Sequence, residues 1–240
     1  MKNLFLLIGL TLITVQSYAC DKCKNYNNDN FQIKCVSVKH SDDIAATIWE
    51  ITVSGTAGAT TPQPAGQLNG APVLGYVFPT TLKPTDVGFS DTEGIVALAL
   101  TSHPDFDDTP LWDENSDRNY ANDGIIWHPH WVVLTKDDRV KGELAVKQFT
   151  PKDPNVTLPP TNPGMPMYMD SPGFQVITKA NTIKVVVPDY RINNKTEFSF
   201  DGVTAFMQVN TSKEVDKPML GVYQVFSVAS GDLSLPYKVK

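Results

Sequence analysis

Basic residues are scarce and scattered in this sequence: 20 Lys and Arg stand against 26 Asp and Glu, a formal net charge of −6. A chain without a basic face has little with which to neutralise phosphates, which argues against nucleic acid as a partner. Beyond the first twenty residues there is no long apolar run, so no later transmembrane segment is expected. No stretch keeps a 3.6-residue apolar period for more than two turns, which argues against a helical architecture. A Gly-rich phosphate loop, a His-Glu-x-x-His zinc helix and a Gly-x-Ser-x-Gly elbow are all missing. No two carboxylates stand out as the acid and nucleophile of a glycosidase, and there is no internal repeat. Cysteine is limited to Cys20, Cys23 and Cys35.

Residues 1–19 read as a secretory signal peptide. Lys2 supplies the positive start, Leu4 to Val15 the apolar stretch, and Ser17-Tyr18-Ala19 the small residues before a cleavage site. Cleavage after Ala19 would place Cys20 first, which resembles a bacterial lipoprotein, although Ser17 stands where an aliphatic residue is usual. The expectation is a secreted or periplasmic protein, free or lipid-anchored at Cys20. In an oxidising compartment, lipidation of Cys20 would leave Cys23 and Cys35 to form a disulfide between the N-terminal segment and the first strand. A redox role for Cys20-x-x-Cys23 fits poorly, because residues 24–28 look like loop rather than the start of a helix.

What is present is about a dozen short runs with strand-like alternation, separated by Gly, Pro, Asn and Asp. They span Phe31–Val38, Ile44–Ser54, Pro72–Phe78, Gly94–Leu100, Ile125–Leu134 and Glu143–Phe149. Phe174–Thr178, Thr182–Val187, Glu197–Phe200, Val203–Val209 and Val222–Val228 follow. The expected fold is therefore all-β, an antiparallel β-sandwich or jelly-roll-like domain over residues 20–240. Two long connections stand out: an acidic loop at 102–124, and a Pro-rich connection at 151–173 that holds seven of the eighteen prolines.

The chemistry concentrates in Thr101 to Leu134, with three of the four histidines and three of the four tryptophans. In Ile125 to Leu134 both alternating faces are apolar, so the strand should be covered on both sides. His128 and His130 then project from one face about 7 Å apart, and Pro129 between them marks an edge or an interrupted ladder. His103 lies just past the Gly94–Leu100 strand. If the two strands are antiparallel neighbours, His103 comes close to His128, and three imidazoles make a copper or zinc site. The competing reading is that these are ordinary packed, hydrogen-bonded histidines.

Seven carboxylates fall within the nineteen residues from Asp105 to Asp123, against one base, Arg118. Asp113-x-Asn115-x-Asp117 has the alternating oxygens that begin a calcium loop, although Arg118 and Gly124 break the EF-hand pattern. Met165, Met167 and Met169 form a second candidate copper cluster, with gap-filling under a loop as the alternative. Three functions follow: metal handling or sensing; a metal-dependent hydrolase or lyase using Asp105 or Asp107 as base; or a metal-free module binding a sugar or other small ligand on Trp112, Trp127 and Trp131.

Overall fold

The computed structural model describes residues 26–212 and 216–240, so the expected signal, Cys20 and Cys23 lie outside the described residues. The first five strands are β1 (Ile33–Ser41), β2 (Ala46–Val53), β3 (Pro72–Pro79), β4 (Ile95–Ser102) and β5 (His128–Lys136). The next four are β6 (Leu144–Val146), β7 (Met169–Asp170), β8 (Val176–Lys179) and β9 (Thr182–Pro188). β10 (Ser199–Phe200), β11 (Val203–Val209), β12 (Leu220–Val228) and β13 (Tyr237–Lys238) complete the chain. The strands pair antiparallel throughout, and among the described residues the only helices are short 3-10 turns. The all-β expectation holds.

Strands β4, β3, β11, β12, β6, β5 and β7 form one sheet in that order, and β4 also pairs with β5. That extra pairing, from Ile95↔Leu134 to Thr101↔His128, closes six of the strands into a barrel. A second sheet, β1-β2-β9-β8, packs on the outside of the barrel, and a small β10–β13 ribbon lies beside them. β11 and β12, which follow the Pro-rich connection, sit between β3 and β6, which precede it. Cys35 is exposed on β1.

Strand alternation explains the two cores. On β4, Val96, Leu98 and Leu100 face the second sheet, while Ala97 and Ala99 face the barrel interior. β5 does the same, with Trp131 and Val133 outward and Val132 and Leu134 inward. Large side chains fill the space between sheets, where Trp49 lies 5.2–5.8 Å from the rings of Phe198, Phe78 and Trp131. Its indole N–H donates to Thr47 Oγ1 at 2.8 Å, so no polar atom of Trp49 is stranded in this core. Small side chains line the barrel because six strands enclose little room. Gly75 suits that narrow wall: a Cβ there would come within 2.7 Å of the Met207 methyl, which would have to move aside.

Even so, the interior is not full. It keeps a cavity of about 80 Å³ whose walls include Val73, Ala99, Val132, Ala205 and Met207. His103, His130 and Asp108 line the same cavity and are its strongly polar members. The fold therefore delivers these three side chains to a desolvated place, where charge interactions are stronger than in water.

Trp49 is the side chain on which the contact between barrel and outer sheet turns. Trp49→Ala should cost about 3–5 kcal/mol, lowering the melting temperature by about 6–20 °C for a chain of this size. Urea unfolding with a two-state fit checks this, and a loss below about 1 kcal/mol would show that the inter-sheet core is organised elsewhere.

Candidate metal centre

β5 pairs with β4 along its length, but on its other edge β6 and β7 reach only Trp131 to Lys136. Pro129, with no N–H to give, lies where that second edge has no strand partner. The β4–β5 register sets His128 opposite Thr101, and His130 opposite Ala99, with both imidazoles buried. The long loop between the strands is pinched at its base. His103 N donates to Gly124 O at 2.7 Å, and Ser102 Oγ to Ile125 O at 2.6 Å. Gly124 is required there, since a Cβ would fall 1.9 Å from Phe106 O and 2.4 Å from His103 O. The pinch turns His103 inward, its ring stacked on Phe106 at 4.0 Å, and folds Asp108 over the three histidines.

Four atoms converge: Nε2 of His103, His128 and His130, and Oδ1 of Asp108. Nε2 of His128 lies 2.9 Å from that of His103 and 3.1 Å from Asp108 Oδ1. Asp108 Oδ1 is 3.3 Å from His103 Nε2 and 3.4 Å from His130 Nε2. A tetrahedral ion with ligands at about 2.0–2.1 Å sets its donor atoms about 3.3 Å apart. The spacing found is that of a coordination shell. All four residues are sealed from solvent, at 1%, 1%, 2% and 6% exposure for His103, His128, His130 and Asp108.

Proton accounting shows what these atoms require. His103 Nδ1 lies 2.9 Å from Phe106 O, and His128 Nδ1 lies 2.6 Å from Ile126 O. Carbonyl oxygens only accept, so each Nδ1 carries the proton of its neutral ring. Ser171 Oγ donates to Asp108 O at 2.7 Å and so accepts from His130 Nδ1 at 3.1 Å. With the rings neutral, all three Nε2 atoms are bare lone pairs, facing one another and a carboxylate oxygen. Nε2 of His130 is buried with no hydrogen-bond partner. Acceptors crowded together in a low-dielectric place repel unless a cation lies among them.

The acid–base properties of the four follow from the same crowding. Burial alone would raise the Asp108 carboxyl, but the facing His130 and His103, and the protons that His103 and His128 share with it in the metal-free protein, hold it well below the usual range. Burial pushes His130 down to about 4, against the pull of Asp108 and with the help of its two neighbours. His128 is opposed by burial yet ends above its ordinary value, because in the metal-free protein a proton on its Nε2 bonds to Asp108 and stands in for the cation. A neutral His130 is what a metal requires of a ligand.

The other candidate residues are placed as follows. Asp105 accepts from the backbone N–H of Ala65 and Gly66, at 2.9 and 2.6 Å, and Asp107 from those of Thr109 and Asp123, so neither stands among the converging atoms. Asp113, Asn115 and Asp117 accept mainly from the N–H groups of Asp117, Arg118 and Asn119, a run of local turns on the exposed part of the loop. Met165, Met167 and Met169 pack in the apolar cluster of the barrel, and Met165 and Met169 line its cavity. Trp131 is buried against Trp49, so the three tryptophans do not share one surface. Trp112 and Trp127 do line one outer cleft of about 250 Å³, together with Glu114, His128 and Phe174.

Asp108 is the residue that sequence reasoning missed. Seven loop carboxylates look alike in the sequence, and only the fold shows which one turns inward. Ser171, from the far end of the Pro-rich connection, is equally unsignalled, yet it holds both His130 and the Asp108 backbone. Ser171→Ala should therefore weaken metal binding about 10–100-fold and cost the metal-free protein about 1–3 kcal/mol, the penalty of leaving the Asp108 carbonyl unpaired. Competition against a chromophoric chelator measures this, and unchanged affinity would remove Ser171 from the site.

Compared with known proteins, the chain matches no protein-family model, no curated protein and no solved structure.

Proposed function

We propose that this protein binds one divalent transition-metal ion through His103, His128, His130 and Asp108, and that it holds or senses the metal rather than using it for catalysis. The observation that carries the reading is the convergence of three imidazole Nε2 atoms on one carboxylate oxygen, with His130 Nε2 left without a partner. Four side-chain ligands complete a tetrahedron and leave no position for water, as in sites that hold an ion, whereas catalytic zinc sites keep three protein ligands and an open place. Three imidazoles and a carboxylate favour zinc over copper(I), which prefers thiolate and thioether donors. The expected setting is secreted or periplasmic, where such a protein would buffer or report the metal.

The second reading is a metal-dependent hydrolase or lyase on the same residues. It is favoured by one feature: His128 and Glu114 line the outer cleft, and His103, His130 and Asp108 line the barrel cavity, so space flanks the ligands on two sides. If Asp108 swung away, water would take the fourth place.

Purified without affinity tag or chelator and then offered zinc, the protein should take up one equivalent, and His128→Ala/His130→Ala should take up none. Zinc at 1,000 times its dissociation constant should add about 4 kcal/mol of stability. Cobalt(II) in its place should give the intense visible bands of a four-coordinate ion. Weak six-coordinate bands would show water on the metal and favour the enzyme, and no uptake at all would overturn both readings.

A further inference from the structure

A second group of ligands lies in the same loop and faces different chemistry. Asp107, Glu114 and Asp123 each offer a carboxylate oxygen, and these oxygens lie within 4.8 Å of one another. Asp123 is 0% exposed, and its Oδ1 has no hydrogen-bond partner. Its other oxygen accepts from Glu114 N at 2.9 Å, so the carboxylate is fixed with one oxygen bare. Among the described residues no Lys or Arg forms an ion pair with any of the three. A buried carboxylate oxygen beside two more carboxylates is costly unless something positive joins them.

We propose that Asp107, Glu114 and Asp123 form a separate site for a hard divalent cation of the calcium class. The donors are oxygen only, which selects against the soft and borderline metals suited to the histidine centre. Three carboxylates supply up to six oxygens when bidentate, and backbone carbonyls or water fill the remaining places. The hydrogen bonds around the group hold it in shape for that ion. Thr109 donates to Asp107 Oδ1 through both N, at 2.8 Å, and Oγ1, at 2.6 Å, while Asp123 N donates to Asp107 Oδ2 at 2.9 Å.

The position gives the ion a role. Asp107 precedes Asp108, and Asp123 precedes Gly124, whose carbonyl receives the His103 N–H. A cation here ties the two ends of the acidic loop together next to the residues that aim Asp108 and His103. It lowers the entropy that zinc would otherwise spend in ordering the loop. Linkage then requires that calcium tighten zinc and zinc tighten calcium by the same factor. This coupling rests on the proposed function of the histidine centre, but the oxygen site does not.

The test is calorimetric titration of calcium into chelator-treated full-length protein, with and without one equivalent of zinc. Terbium luminescence, sensitised by Trp112 and Trp127 in the cleft they share with Glu114, is the second readout. One calcium is expected to bind, Asp123→Asn should weaken it at least 100-fold, and Asp113→Asn/Asp117→Asn should leave it unchanged. Glu114→Gln, at a half-buried position, gives the same answer should Asp123→Asn fail to fold. Absence of calcium binding, or binding lost only in Asp113→Asn/Asp117→Asn, would overturn the site. Zinc stoichiometry read in the same samples keeps the two assignments apart: calcium without zinc removes the histidine centre and leaves this site standing, and zinc without calcium does the reverse.

Discussion

Three imidazole nitrogens and one carboxylate oxygen, every one an acceptor while the rings are neutral, are held 2.9–3.4 Å from their neighbours where water hardly reaches. That arrangement is unfavourable by itself, because lone pairs repel more strongly as the dielectric falls. The rest of the molecule is what imposes it. The β4–β5 pairing that closes the barrel fixes His128 and His130 on one face of β5, and the pinched loop brings in His103 and Asp108. The Ser171 hydroxyl fixes a ring on one side and a backbone carbonyl on the other. An ordinary buried histidine finds a donor or acceptor for each nitrogen, and His130 Nε2 finds none.

The barrel suits this task because closure lets a single strand be buried on both faces. β5 packs Trp131 and Val133 toward the outer sheet, while His130 points into the interior and His128, at the start of the strand, also borders the outer cleft. An open sheet with one wet face would hydrate those imidazoles and release their lone pairs to water. The small residues of the barrel wall, Ala97, Ala99, Ala205 and Gly75, keep the interior narrow and apolar beneath the site. The cost of the unusual polar cluster is offset by a large aromatic core between the sheets, where burial of each ring contributes on the order of 1.5–3 kcal/mol.

Much of this was legible in the sequence because period-two alternation is local. Val203–Val209 matches β11 residue for residue, and most other strands agree within two or three positions. The apolar character of both faces of Ile125–Leu134 signalled a doubly covered strand, and antiparallel pairing of β4 and β5 places His103 beside His128. Closure of the barrel was not legible, since it depends on which distant strands pair, and no local pattern encodes that. β7 was hidden because Met169 and Asp170 sit among prolines, where an extended connection is the natural reading. The acidic loop was the least legible part. Asp113-Asn115-Asp117 has the spacing of a calcium loop and lies toward its exposed side, whereas nothing in the sequence distinguishes Asp108 and Asp123, which are buried only once the loop has folded back.

X-ray absorption at the metal edge, on protein carrying one equivalent of zinc, tests the central claim most directly. The account predicts four nitrogen or oxygen scatterers at about 2.0–2.1 Å, with the outer-shell pattern of three imidazoles and no sulfur. A shell of six light atoms with one imidazole or none, or a sulfur at about 2.3 Å, would mean that the metal lies elsewhere and that the crowded nitrogens of His103, His128 and His130 serve some other purpose.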